Sequence, residues 1–205
     1  MKSDFEVVDI TKIECKKILD PFHYLSKISK SFKTKHNFGL LHLAENKIVG
    51  VCIFTGFPVP ELLSGMYGLP RTEQEGFYEL SRLCLHPTIQ ATEHNLASWF
   101  VAKAIKRLRN TVNVRSILSY ADADFHSGIV YAASNFLYYG LSDPKCDFWI
   151  KQNDGSYIKH SRGKMKGLPG EWRPRSRKHR FVLQFDKTLT IKWKKQIWNP
   201  QSTNE

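Results

Sequence analysis

Residues 116–140, SILSYADADFHSGIVYAASNFLYYG, place Tyr120, Asp122, Asp124, His126 and Tyr131 within a dozen positions across an apparent strand, a short polar loop and a helix. That junction narrows the fold more than any other stretch. Strand ends that feed a loop and a helix are where α/β proteins open a crevice for chemistry. Upstream, Val114, Ile117 and Leu118 are β-formers bounded by the turn-prone Asn110 and Asn113. Downstream, residues 128–133 predict a short helix. Asn135 follows as its terminator, because Asn tolerates the left-handed conformation best after Gly.

A chain of 205 residues, 41% of them hydrophobic, is long enough for one domain with a real core. Its formal charge of +12 points to a polyanionic partner, with nucleic acid ahead of a merely solvated basic surface. Cys15, Cys52, Cys84 and Cys146 are far apart and form no Cys-x-x-Cys pair, which argues against a zinc ribbon or a disulfide framework. Cys52 and Cys84 fall in apolar strands and are expected in the core. The N-terminal residues carry no apolar signal core, and no apolar run approaches the roughly 18 residues of a membrane span. The expectation is a cytoplasmic protein with no membrane partner.

Taken in order, residues 5–10 predict a strand and Thr11 the cap of a helix, which Pro21 is expected to interrupt. A second helix over 21–32 would carry His23 and Tyr24 on its first turn. Strands over 39–43 and 48–54 form a hairpin about Asn46, and residues 57–75 read as a long irregular segment bordering a cleft. Strict alternation through the strand at 76–86 puts Tyr78, Leu80, Arg82 and Cys84 on one face and Phe77, Glu79, Ser81, Leu83 and Leu85 on the other. A mid-strand arginine is costly to bury, so Arg82 either pairs with Glu79, Asp122 or Asp124 or contacts substrate. The helix that follows, with Leu96, Trp99, Phe100, Ala104 and Leu108 at helical spacing, takes Thr92 as its N-cap.

Beyond the central stretch come strands over 136–142, 146–151 and 156–160, the last two joined by the turn Asn153-Asp154-Gly155. Next is a basic segment over 159–180 whose Arg162, Lys164, Lys166, Arg173, Arg175, Arg177, Lys178 and Arg180 face a single acid, Glu171. Its glycines and prolines argue against a regular element. A flexible basic loop holding Trp172 suits capture of a phosphate backbone with one stacking side chain. Residues 178–185 form the final strand. The domain is expected to end at 187, leaving 188–205 as a basic tail containing Trp193 and Trp198.

Val130-Tyr131 followed by Asn135-Phe136 looks like the apolar-Tyr-x-x-x-Gly-Phe signature of the GNAT acyltransferase superfamily, with Asn135 in the glycine slot. The fuller string resembles the Mom family of phage DNA modification proteins. It runs from Tyr120-Ala121-Asp122 through His126 and Gly128 to Tyr131, Asn135-Phe136 and Gly140. His23-Tyr24, the Glu-Leu-x-Arg-Leu context of Arg82 and the string Lys178-His179-Arg180-Phe181 are similar to that family too. The resemblance implies a GNAT-like α/β fold with a mixed, mostly antiparallel central sheet, which the predicted strand-helix-helix-strand-strand opening matches. It also implies modification of adenine N6 in double-stranded DNA by a carbamoylmethyl (acetamido) group, shielding phage DNA from restriction in the host cytoplasm.

Chemistry then assigns roles. The N6 amine is a poor nucleophile, so a base must take its proton as the new bond forms. Asp122 at the strand end is the first candidate and His126, with its near-neutral pKa, the second. Tyr131 would serve the leaving group, and Tyr24 and His23 would contact base or donor. Arg82, Tyr120, Asp124 and Asn135 would line the substrate site. Trp172, Arg173, Arg175, Arg177, Lys178, His179 and Arg180 would hold DNA. Asp124 is equally a helix cap. His23, His126, Asp122 and Asp124 could form a His/carboxylate iron site, which their spacing does not enforce, so no metal is assigned. Acetyl coenzyme A is the default donor of the fold, but residues 87–94 have no glycine to let backbone amides approach a pyrophosphate. Two other classes compete: an ordinary GNAT acyltransferase on a small amine or protein, and a non-catalytic DNA-binding protein on the same scaffold.

Overall fold

The computed structural model describes residues 2–27, 31–160 and 165–200. The chain opens with β1 (Phe5–Asp9), whose Phe5 and Val7 turn inward while Glu6 and Asp9 stay exposed. Thr11 and Glu14 then build a capping box, each side chain closing on the other's backbone amide, and start α1 (Lys12–Phe22). A hairpin follows, β2 (His36–His42) and β3 (Lys47–Gly56), turning through Asn46 at φ 51°. Next come α2 (Glu61–Tyr67), β4 (Phe77–Leu85), α3 (Pro87–Thr92), α4 (Leu96–Thr111), β5 (Ser116–Asp122) and α5 (Ile129–Ala133). The remaining strands are β6 (Leu137–Leu141), β7 (Lys145–Lys151), β8 (Tyr157–Lys159), β9 (Gly170–Arg175) and β10 (Lys178–Gln184).

Seven strands make the main sheet in the order β1-β2-β3-β4-β5-β10-β6, and β8-β7-β9 make a separate small sheet. Every pair in the main sheet is antiparallel except β4 with β5. One face of the sheet is covered by α4, which buries Leu96, Phe100, Val101, Ala104, Ile105 and Leu108 against it. On the opposite face α1 packs Cys15, Ile18 and Leu19 against Val51, Ile53 and Cys84. There α2 packs Leu63, Met66 and Tyr67 against Phe77 and Leu118. Leu189, Ile191 and Trp193 of the C-terminal segment lie on that second patch, and the Lys192 and Gln196 amides donate to the Met66 and Tyr138 carbonyls. Trp198 donates its indole N–H to the Ser127 carbonyl at 2.9 Å, beside the central loop. The segment after 187 is thus bound along the domain.

Parallel pairing of β4 with β5 runs from Phe77↔Ser116 only as far as Leu80↔Ser119. Beyond it Ser81–Leu85 and Tyr120–Asp122 diverge, and no backbone hydrogen bonds close the gap between two central strands. A crevice at the C-terminal ends of parallel strands is where such sheets bind ligands.

Several expectations need correction. Pro21 does not interrupt α1, because a proline so near the C-terminus forfeits a single ladder bond; the helix closes instead with the His23 amide on the Leu19 carbonyl at 2.9 Å. The predicted second helix is a 3₁₀ turn over Tyr24–Lys27, and residues 28–30 lie outside the described residues. The segment 57–75 contains α2, formed because Leu63, Met66 and Tyr67 share one buried side and Gly68 ends it at φ 74°. Thr92 ends α3 rather than capping α4, which starts after Asn95 in the left-handed region at φ 58°. Finally, β9 runs through the basic segment despite Gly170 and Pro174. It is an edge strand paired only with β7, where a missing N–H is tolerated. Arg162 and Lys164 lie outside the described residues.

Candidate active site

The site is set by one irregularity in β4. Ile53 pairs with Arg82 and Phe54 with Leu80, so Ser81 is an extra residue, a β-bulge whose hydroxyl donates to the Ile53 carbonyl at 3.3 Å. A bulge reverses the alternation beyond it. Tyr78 and Leu80 therefore share the α4 side with Leu83 and Leu85, while Cys84 packs on the α1 side. Strict alternation had put Arg82 with Tyr78 and Leu80; the bulge instead turns it to the side of Cys84, where Glu79 also projects. The Arg82 guanidinium donates to the Ser81 carbonyl at 2.6 Å, and its charge reaches His23, Tyr24 and Glu79.

Two cavities meet at Ser81 and Arg82. The larger, about 510 Å³, occupies the gap between β4 and β5 and includes Tyr24, Tyr120, His126 and Tyr131 in its wall. The other, about 450 Å³, lies over Glu79 between Lys33–Lys35 and Thr55–Pro58. Both are within the range of small-molecule sites, roughly 300–1,000 Å³. An aromatic rim closes one end of the larger cavity: His23 stacks on Tyr24 at 4.8 Å, and Tyr24 meets Phe125 at 4.9 Å and His126 at 5.4 Å between ring centres. Phe125 is 57% exposed there, an apolar ring held at the mouth.

Burial dominates the protonation pattern. It pushes Glu79 up to about 7 against the opposing charges of Arg82 and Lys33, so this carboxyl takes up and releases a proton near neutrality. Tyr24, Tyr120 and Tyr131 are each pushed up to about 12 by burial and stay protonated; the Ser119 hydroxyl at Tyr131 only tempers the effect. His23 is pushed down to about 4 by burial and by the Arg82 charge, and burial lowers His126 despite the Asp122 charge, so both imidazoles are neutral at pH 7. Asp122 behaves oppositely to Glu79. Burial alone would raise it, but ion pairing with Lys178 and a hydrogen bond from Ser176 hold it below the ordinary carboxylate range.

The structure thus brings together His23, Tyr24, Arg82, Tyr120, His126 and Tyr131 at one cleft. Asp122 stands behind its rim, 5% exposed and clamped between β5 and β10. Asp124 is exposed and does not cap α5, whose N-cap is Gly128 at φ 82°, where a β-carbon would run into the Phe181 ring. Asn135 ends α5 at φ 65°. His179 is buried, bonded through Nδ1 to the Tyr138 hydroxyl at 2.9 Å, and Arg177 donates to the Ser142 carbonyl at 2.7 Å. Arg180 sits opposite Tyr120 with its guanidinium over Trp193 at 4.6 Å. Trp172 and Arg173 point to opposite faces of the small sheet, so the loop does not present them to one ligand together. Phe125 was not among the candidate residues, and Glu79 was read only as a structural partner of Arg82. The signal for Glu79 was an unpaired mid-strand carboxylate; that for Phe125 was its place between two candidate residues.

The residues after β4 are poorly suited to a coenzyme A pyrophosphate: residues 87–94 hold no glycine, Pro87 has no N–H, the Thr88 amide is taken by the His86 Nδ1, and the Leu96 amide turns back to the Glu93 carbonyl. Among the described residues no three His, Cys, Asp or Glu side chains converge to hold a metal ion, and no helix is long and apolar enough to cross a membrane.

A mixed sheet splayed between β4 and β5, with helices on both faces, is the GNAT acyltransferase fold. Three solved structures share it at 10% identity, a TM-score of 0.50 and 88% coverage of this chain. They are an acetyltransferase from Bacillus subtilis in complex with CoA, the C-terminal condensation domain of Ebony in complex with beta-alanyl-dopamine, and a GNAT-family acetyltransferase from Streptococcus pneumoniae; this chain covers 97%, 99% and 99% of them respectively. Within that fold the chain belongs to the Mom protein family, whose model matches residues 4–200. No curated protein matches it in sequence.

Proposed function

We propose that the protein is a transferase that places a carbamoylmethyl (acetamido) group on adenine N6 in double-stranded DNA, protecting phage DNA from restriction in the host cytoplasm. The observation that carries this reading is a Mom-family chain whose two adjoining cavities set one carboxyl near neutrality, Glu79 in the smaller, within electrostatic reach of Tyr120 and Tyr131, phenols of the larger that stay protonated. Adenine N6 attacks the electrophilic carbon of the donor; the C–N bond forms as the bond from that carbon to the departing group breaks, its electron pair leaving with that group, and an N6 proton passes to the Glu79 carboxylate. Tyr131 gives its proton to the departing group, and Arg82 balances the negative charge that develops. Glu79 suits the base role better than Asp122. A carboxylate held low by Lys178 and Ser176 has little proton affinity to offer.

The target amine lies inside the base stack, so adenine must be extruded. The Tyr24, Phe125 and His126 rings at the mouth offer the apolar faces an extruded base needs. An acyltransferase drawing on coenzyme A is disfavoured by the glycine-free loop over 87–94, and a purely DNA-binding role by Glu79. Nucleoside mass spectrometry of plasmid DNA from expressing cells tests the proposal: a modified deoxyadenosine is expected, and an unmodified profile with folded protein present would refute it.

A further inference from the structure

The small sheet has two unlike faces, set by the alternation of β7. Phe148 and Ile150 point one way with Ile158 and Trp172, whereas Trp149 points the other way with Tyr157 and Arg173. On this second face the Arg173 guanidinium lies over the Tyr157 ring at 4.2 Å and the Trp149 ring at 5.1 Å. Two flat rings bridged by one guanidinium make a stacking platform rather than a core. Its acids are engaged, Glu171 with Arg173 at 2.6 Å and Asp147 with Lys159 at 2.5 Å. Lys145, Lys151 and Arg175 stand on the same face with no acidic partner among the described residues.

The platform leads to the cleft. Arg175 ends β9, and its charge is felt by the Tyr120 phenol in the cavity wall; the next residue, Ser176, bonds Asp122. The face runs the length of β7, about 23 Å at roughly 3.3 Å per residue. It joins cations and two part-exposed rings in one line that stops at the candidate active site.

We propose that this face is a track for an unpaired DNA strand, which stacks its bases on Trp149 and Tyr157 while Lys145, Lys151 and Arg175 follow its phosphates into the cleft. Aromatic rings give little to a closed duplex, whose base faces are already stacked, but they bind any exposed base. The inference rests on the DNA-modification reading and adds to it that the enzyme holds one opened strand beside the target adenine.

Fluorescence anisotropy with a labelled single-stranded oligonucleotide, and with the same sequence as a duplex, tests this on the full chain. Trp149→Leu and Tyr157→Leu should each weaken single-strand binding roughly tenfold while changing duplex binding far less, and Trp149→Phe should restore most of the loss. Ile158→Ala, on the opposite face, should leave single-strand binding as it is. Unaltered melting of each variant ensures that binding alone is compared. Wild-type single-strand affinity in both ring variants, equal losses on single strand and duplex, or an equal loss in Ile158→Ala would overturn the track. Nucleoside analysis reports on the underlying reading separately: modified adenine with single-strand binding indifferent to the rings rejects the track alone, and unmodified adenine rejects the reading itself.

Discussion

Replacing Glu79 by Gln should stabilise the protein in alkali and abolish its activity. Burial raises the carboxyl from its ordinary 4.5 to about 7, so the folded protein keeps a proton that the unfolded chain releases between those values. Stability therefore falls as pH rises through that window, and the full penalty is present above pH 7. At about 1.36 kcal/mol per pH unit the penalty is at most about 3–4 kcal/mol, a ceiling because the side chain is only partly shielded from water. Gln carries no such penalty. Urea denaturation at about pH 4 and about pH 8.5 should show the stability gap between Glu79→Gln and wild type widening by about 2–3 kcal/mol in favour of the variant. His23 titrates in both proteins and cancels from the difference. A gap independent of pH would refute the raised carboxyl, and with it the base assignment. In wild type, single-turnover modification should rise with pH through about 7 as the carboxylate forms, and Glu79→Gln should lose roughly 100- to 10,000-fold.

Tyr131→Phe removes the proposed proton donor and should cost roughly 100-fold or more in turnover with melting nearly unchanged; undiminished turnover would remove Tyr131 from the mechanism. Gly128→Ala must place a β-carbon against Phe181 at φ 82°, so the urea midpoint should fall by the equivalent of about 3 kcal/mol. Changing Arg173, Arg175 and Arg177 to Gln should flatten the slope of log affinity against log salt on duplex DNA by between about 1 and about 3, without altering which sites are preferred. Acetyl coenzyme A should give no measurable heat by calorimetry, and stoichiometric tight binding would contradict the account of residues 87–96.

The fold was legible where local chemistry and tertiary demand agree. Thr11 before α1, Asn46 in its hairpin and Asn135 after α5 each announce their element, and the structure uses all three that way. The resemblance carried by residues 120–140 led to the right family. What stayed hidden were features set by pairing between distant strands. No pattern within GFYELSRLCLH reveals that Ser81 is skipped by β3, yet that one-residue slip moves Arg82 across the sheet and puts it beside Glu79. For the same reason Glu79 read only as a structural partner of Arg82 and Asp122 as the first candidate base. The clamp on Asp122 comes from Lys178 of β10 and Ser176 just before it, more than fifty positions away. β9 was missed because Gly170 and Pro174 discourage a strand locally, whereas an edge position beside β7 accepts both.

The proposed chemistry is alkylation of adenine N6 in DNA at this cleft with Glu79 as the base. Nucleoside mass spectrometry of DNA from cells expressing wild type or Glu79→Gln at equal levels tests both halves at once. An N6-modified deoxyadenosine is expected with wild type, and its near-complete loss with the folded Glu79→Gln variant. Equal modification in the two samples, or none in either, would contradict it.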